Sequence, residues 1–201
     1  MDVILITQPK LKHDEASTIS MLFDAGLEKL HLRKPQHSLR ELASFLDSLP
    51  TSMHPKVVVH RHSELLNDFN LGGYHHADGE SKIKNKGSTS KSLHKLKDLQ
   101  AIENSFDYCF FGPVFKSISK EGYRPSISLP EIKKVLTQLA VIKDRPKVYA
   151  LGGIRRKKIR TLNEVGFDGF ALLGSVWRHS DPVKAFMKFN DELKKSLSLL
   201  S

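Results

Sequence analysis

The 201-residue sequence contains one cysteine, Cys109, which excludes an internal disulfide and fits a reducing cytoplasm. Cys109 lies in Tyr-Cys-Phe-Phe, the setting of a buried structural thiol and not of a nucleophile. Long apolar runs are also missing: none approaches the ~20 residues of a membrane-spanning helix. The N-terminus lacks a basic region followed by a signal-type apolar core and enters a strand at once with Asp2-Val-Ile-Leu-Ile6. Acidic residues are scarce, 22 Asp+Glu against 32 Lys+Arg, giving a net charge of +10. No RNA-binding or helix-turn-helix signature accompanies that excess. It therefore supports phosphate-bearing small ligands more than nucleic acid. No composition shift marks a linker, so residues 1–201 read as one domain.

What is present is an alternation of short apolar runs with helical patterns. Strands are expected over 3–7, 29–33, 56–60, 73–76, 108–114, 147–151 and 170–173. Helices are expected over 14–25, 38–49, 63–69, 90–102, 130–139 and 181–200. Ser38 and Glu41 have the spacing of a capping box. The Lys- and Ser-rich stretch 83–89 supplies a fifth strand of low apolar content. Eight β–α steps of ~25 residues each fit a (β/α)8 barrel better than an open doubly wound sheet. The polar stretch 116–128, with Gly122 and Pro125, is long enough to act as a lid.

In such a barrel the chemistry sits at the C-terminal ends of the strands. Gly152-Gly153 and Gly174-Ser175 end the last two strands. Glycine there lets backbone N–H groups approach an anion, so the pair reads as a phosphate grip. Other strand ends supply His31, Arg33 and Lys34, then His60, Arg61 and His62, then His75, His76, Asp78 and Glu80. Thr89, Ser117, Ser119 and Lys120 complete the set. Cations and hydroxyls in that number suit a phosphorylated or pyrophosphorylated ligand. Arg33 can bind phosphate oxygens bidentately, and Lys120 acts as a mobile point charge. His31, His60, His62, His75 and His76 collect at three successive strand ends. They offer proton transfer or hydrogen bonding, and neutral imidazoles for a transition metal.

Phe111-Gly-Pro-Val-Phe-Lys-Ser-Ile-Ser-Lys120 closely resembles the Gly-Pro-Val-Phe-x-Thr-x-Thr-Lys segment of thiamine phosphate synthases and their TenI relatives. Leu151-Gly-Gly-Ile154, Gly166-Phe-Asp-Gly-Phe-Ala, His31-Leu-Arg-Lys-Pro35 and Gly73-Tyr-His75 resemble further segments of that family, in the same order. The resemblance implies a barrel that joins a hydroxymethylpyrimidine diphosphate to a thiazole phosphate. In that chemistry the pyrimidine ionises, Mg²⁺-bound pyrophosphate leaves, and the thiazole nitrogen traps the cation. Carried over by position, Arg33, Lys120 and His31 are the catalytic candidates. His60, His75, Thr89, Ser117, Ser119, Gly152, Gly153, Gly174 and Ser175 are the substrate-binding ones.

The resemblance breaks at the magnesium-pyrophosphate half of the site. The family's glutamine is His31, and its second-strand lysine falls on Pro35, beside Lys34. The Asn-Asp pair that supplies a magnesium ligand aligns with His60-Arg61, leaving Glu80 as the metal candidate for Mg²⁺. The fifth-strand Gly-x-Ser-x-His segment, whose histidine does acid–base work in the tautomerase branch, aligns with Thr89 and Lys91. A synthase with an altered pyrophosphate site is therefore the first reading. A TenI-like thiazole tautomerase and a non-catalytic phosphate-ligand-binding relative are the alternatives. The oligomeric state is open, a homo-oligomer included.

Overall fold

The computed structural model describes residues 1–83, 86–102, 106–116 and 126–198. Its strands are β1 (Asp2–Ile6), β2 (Lys29–Leu32), β3 (Val57–Val59), β4 (Gly73–His76), β5 (Ser88–Leu93), β6 (Tyr108–Phe111), β7 (Lys147–Leu151) and β8 (Gly169–Leu172). Each pairs in parallel with the next, and β8 returns to β1 through Val3↔Phe170 and Leu5↔Leu172 to close the barrel. The helices are α1 (Glu15–Asp24), α2 (Leu39–Asp47), α3 (Leu65–Asp68), α4 (Leu96–Gln100), α5 (Leu129–Ala140), α6 (Ile159–Val165), α7 (Gly174–Trp177) and α8 (Pro182–Ser198). The expected (β/α)8 barrel is the observed architecture. Among the described residues no helix is long and apolar enough to cross a membrane.

Period-two alternation along each strand divides the side chains between two cores. Outward-facing Leu5, Leu30, Val57, Val59, Phe111, Val148 and Phe170 pack with helix residues such as Ile19, Leu46, Ile132 and Phe186. The barrel interior is a separate cluster of Ile4, Ile6, Tyr108, Phe110, Tyr149 and Ala171. Cys109 is on the outward side, fully buried, and burial pushes its thiol up to about 12. That is the inert structural thiol the sequence suggested. The start of α2 follows its sequence signal. The Ser38 hydroxyl accepts from the Glu41 N–H while the Glu41 carboxylate accepts from the Ser38 N–H, and these bonds hold the carboxyl near 2.

The fifth unit departs from expectation. The strand covers Ser88–Leu93, not 83–89, and the helix begins only at Leu96. The reason lies in the inner wall: Ser90 and Ser92 turn towards the interior histidine His75, so this strand is polar on its buried face. An apolar run is a poor guide to a strand whose inward positions are hydroxyls.

Candidate functional site

The mouth of the barrel, at the C-terminal strand ends, holds a cavity of about 640 Å³ lined by Arg33, His60, His75, Ser92, His94 and Phe110 among others. Leu151 and Leu173, which immediately precede the two glycine turns, line the same cavity. Neighbouring β7 and β8 bring those turns together through the register Leu151↔Ala171. Gly152 and Gly153 adopt positive φ values of 94° and 66°. Gly174 and Ser175 open α7, where the first N–H groups of a helix have no partner within it. Trp177 fixes that turn against β1 by donating its indole N–H to the Ile6 carbonyl at 2.8 Å.

Three histidines occupy the floor beneath this cavity. His31 on β2 is fully buried. Its Nε2 lies 2.7 Å from the Tyr108 hydroxyl and its Nδ1 2.9 Å from His60 Nε2. His75 on β4 sits between Ser90 Oγ, 2.8 Å from its Nδ1, and Ser92 Oγ, 3.0 Å from its Nε2. The His60 and His75 rings stack with centroids 4.2 Å apart, and Phe110 stacks on His75 from the other side. Burial lowers the pKa of all three, and leaves His75 near 3. Mutual repulsion adds to this, as does Arg33 for His60 and His75. The floor is therefore a neutral hydrogen-bonded network at pH 7.

Not every expected site residue reaches the mouth. His31, expected to meet substrate, lies below His60 and does not line the cavity; it reaches the mouth through its bond to His60. Thr89 is at the opposite end of β5, where its N–H and hydroxyl both donate to the Asp107 carboxylate at 2.7 and 2.9 Å. It is an anchor at the base of the barrel and not a substrate contact. The one-unit slip of β5 explains the error, and it also hid a match. The strand actually ends in Ser92-Leu93-His94, so the Ser-x-His pair assigned to Thr89 and Lys91 lies three residues further on. His94 Nδ1 donates to the Gly112 carbonyl at 2.6 Å, which leaves Nε2 as the unprotonated ring nitrogen. Lys91 instead faces outward over the Phe106 ring.

Lys34, the neighbour of Pro35, borders the cavity, but its charge is turned away from it. Its ammonium is buried against the Glu15 carboxylate and the Lys10 carbonyl. Arg61 donates to the Pro35 carbonyl at 2.8 Å, and His62 turns to the His37 carbonyl. Glu80 does not line the cavity, and both its carboxylate oxygens are engaged: one accepts from the Tyr74 hydroxyl and the other from the Ala77 N–H, both at 2.7 Å. Among the described cavity-lining residues Asp78 is the one carboxylate, and Arg61 shares the wall with it. Mg²⁺ is commonly held by one or two carboxylates together with substrate phosphates, and here a single carboxylate stands beside a guanidinium that opposes a cation. Ser117, Ser119, Lys120 and most of the 116–128 stretch lie outside the described residues. The residues that sequence reasoning missed are Tyr108, Ser90, Ser92 and His94. Their alternation, Ser88-x-Ser90-x-Ser92-x-His94, was the available signal.

Known proteins resemble the chain over most of its length. A thiamine-phosphate synthase of Flavobacterium johnsoniae is 22% identical over 201 residues, 94% of each chain. One from Flavobacterium psychrophilum is 26% identical over 128 residues, 64% of this chain. The chain spans 60% of the length of that relative and 42% of the one from Actinobacillus pleuropneumoniae. The crystal structure of a thiamine phosphate pyrophosphorylase from Bacteroides thetaiotaomicron superposes with a TM-score of 0.82 at 27% identity, covering 100% of both chains. Residues 3–176 match the thiamine monophosphate synthase family, TMP-TENI. A barrel with paired glycine turns at β7 and β8, matched over that span, belongs to the thiamine monophosphate synthase (TMP-TENI) family.

Proposed function

We propose that the chain is a cytoplasmic thiamine phosphate synthase acting on two small phosphorylated substrates. The bond between the pyrimidine methylene carbon and the pyrophosphate oxygen breaks, and its electron pair leaves with pyrophosphate. The thiazole nitrogen lone pair then forms the new C–N bond, so no external oxidant or reductant is needed. One observation carries this reading: the ends of β7 and β8 and the guanidinium of Arg33 border a single cavity. Its volume, about 640 Å³, is in the range of drug-sized ligand sites. In this reading Gly152, Gly153, Gly174 and Ser175 hold the thiazole phosphate through backbone N–H groups, as the grip at the end of a barrel's last strands does elsewhere. Arg33, with Lys120, Ser117 and Ser119 by resemblance, neutralises the departing pyrophosphate. His60 and His75 line the cavity wall that the heterocycle meets.

The test is to mix purified protein with both substrates and look for thiamine phosphate by mass spectrometry. Arg33→Ala is expected to lower kcat/KM by about 10- to 100-fold, the loss of one charged hydrogen-bonding contact. Product formation unaffected by Arg33→Ala would remove the pyrophosphate role. A second reading, a thiazole tautomerase, is favoured by His94, whose Nδ1 is committed to Gly112 and whose Nε2 can accept a proton. Proton exchange on a thiazole phosphate, lost in His94→Asn, would select it. Thiazole phosphate binding with neither activity would select the non-catalytic relative.

A further inference from the structure

We infer that His31, His60 and His75 form a binding site for one divalent transition metal ion of the zinc, cobalt and nickel class, open to the barrel mouth. One ring nitrogen from each residue lies within 4.8 Å of the other two. Tetrahedral zinc with metal–nitrogen bonds of ~2.0–2.1 Å needs its ligands about 3.3 Å apart. The closest pair, His31 Nδ1 and His60 Nε2 at 2.9 Å, must open by a few tenths of an ångström, and the wider separation must close.

The remaining nitrogens are held as a metal site requires. A ligating histidine usually gives its other ring N–H to a fixed acceptor, which sets the tautomer and the ring plane. His31 Nε2 has the Tyr108 hydroxyl for this, and His75 Nδ1 has Ser90 Oγ. With both N–H groups so engaged, His31 Nδ1 and His75 Nε2 carry lone pairs. The first accepts from His60 and the second from Ser92 in the metal-free protein. An ion replaces those two weak bonds with coordinate bonds, His60 ligating through Nε2 once its proton stands on Nδ1 instead. His60 borders the cavity, so the fourth position opens to water or to a ligand oxygen. Arg33 nearby opposes a bare cation and favours an anionic fourth ligand. Three imidazoles without a carboxylate select against Mg²⁺ and Ca²⁺.

This inference rests on the donor geometry and is independent of the synthase reading. The test uses the full chain, stripped with EDTA and dialysed. Cobalt(II) is expected to bind at one equivalent with the visible d–d bands of a tetrahedral site. Zinc should displace it, and a 100-fold excess of Mg²⁺ should not. His60→Asn and His75→Asn, checked for folding by circular dichroism, should each lose stoichiometric binding. Tyr108→Phe should weaken binding about 10-fold, the effect of losing an outer-shell partner. His13→Asn, on an exposed side chain, should leave it unchanged. Binding of less than one equivalent by the unaltered chain overturns the proposal. So does binding that survives His60→Asn, or binding lost in His13→Asn. If His75→Asn fails to fold, His60→Asn, half-exposed at the cavity floor, still decides the question.

Discussion

Arg33 and Lys34 are adjacent cations with opposite surroundings. Arg33 is exposed at the mouth, its own N–H held by the Thr7 hydroxyl at 2.9 Å, so its guanidinium is free to meet an anion. Lys34 points the other way and is buried with Glu15; both are 2% exposed. Burial lowers the lysine pKa, and the carboxylate raises it in opposition. Removing one partner of such a pair strands a charge away from water, at a cost of about 3–5 kcal/mol, whereas replacing both with apolar side chains is often neutral. Lys34→Ala and Glu15→Ala should therefore each destabilise the protein strongly. The double variant Glu15→Leu/Lys34→Met should recover most of the loss in urea denaturation. Additive losses in the double variant would show that the two side chains are not coupled.

The turn between β7 and α6 is shaped by what passes over it. A Cβ on Gly153 would lie 2.4 Å from the Lys116 carbonyl oxygen and 2.7 Å from that of Phe115, at a φ of +66°. Gly79 has a similar φ of +76° with nothing within 4 Å. Gly79→Ala should thus cost only the left-handed backbone strain, about 1–2 kcal/mol. Gly153→Ala carries the same strain and must also push the 112–116 segment aside. We expect it to lose thiazole phosphate affinity, measured by calorimetry, while Gly79→Ala keeps it; equal affinities would separate the glycine turn from the phosphate site. The two glycine turns were readable in the sequence because strand, glycine and helix signals coincide there. β5 was not, because its buried face is hydroxylic and its partners are Lys29 of β2 and His75 of β4, 15 to 59 residues away. Local pattern reports which side of a strand is apolar; it does not report that a polar side has been satisfied across the barrel. The same limit explains Thr89, Glu80 and Lys34. Their residue types suited the mouth, but partners distant in sequence or on the next turn of chain had already claimed them.

At the scale of the whole molecule the barrel's interior sets how stability responds to pH. His75 has a folded pKa near 3 against an ordinary value of 6.5, and burial holds His31 and His60 well below that ordinary value too. Between those values the unfolded chain takes up protons that the folded chain refuses, so stability falls as pH drops through 6.5. Each pH unit in that window is worth ~1.4 kcal/mol per group, or about 2 kcal/mol for His75 alone between pH 7 and pH 5. The charged and titratable groups facing His75 are Arg33, His60, His31 and His76, and none supplies a compensating negative charge. The exposed His13–Asp14 pair acts in the opposite sense, since its histidine is raised: its contribution is full below 6.5 and is lost as pH rises through the raised value. The lowered carboxyls of Glu41 and Glu131 lose their contribution only as pH falls below their ordinary value of 4.5. The interval from pH 7 to pH 5 therefore reports chiefly the buried histidines, His76 among them. Metal-free protein in EDTA should lose several kcal/mol of unfolding free energy across it, a large share of the ~5–15 kcal/mol typical of a domain. His75→Asn should flatten that slope by about one proton. A stability that is level from pH 7 to pH 5 would mean that water, and not the Tyr108–His31–His60 chain, occupies the centre of the barrel.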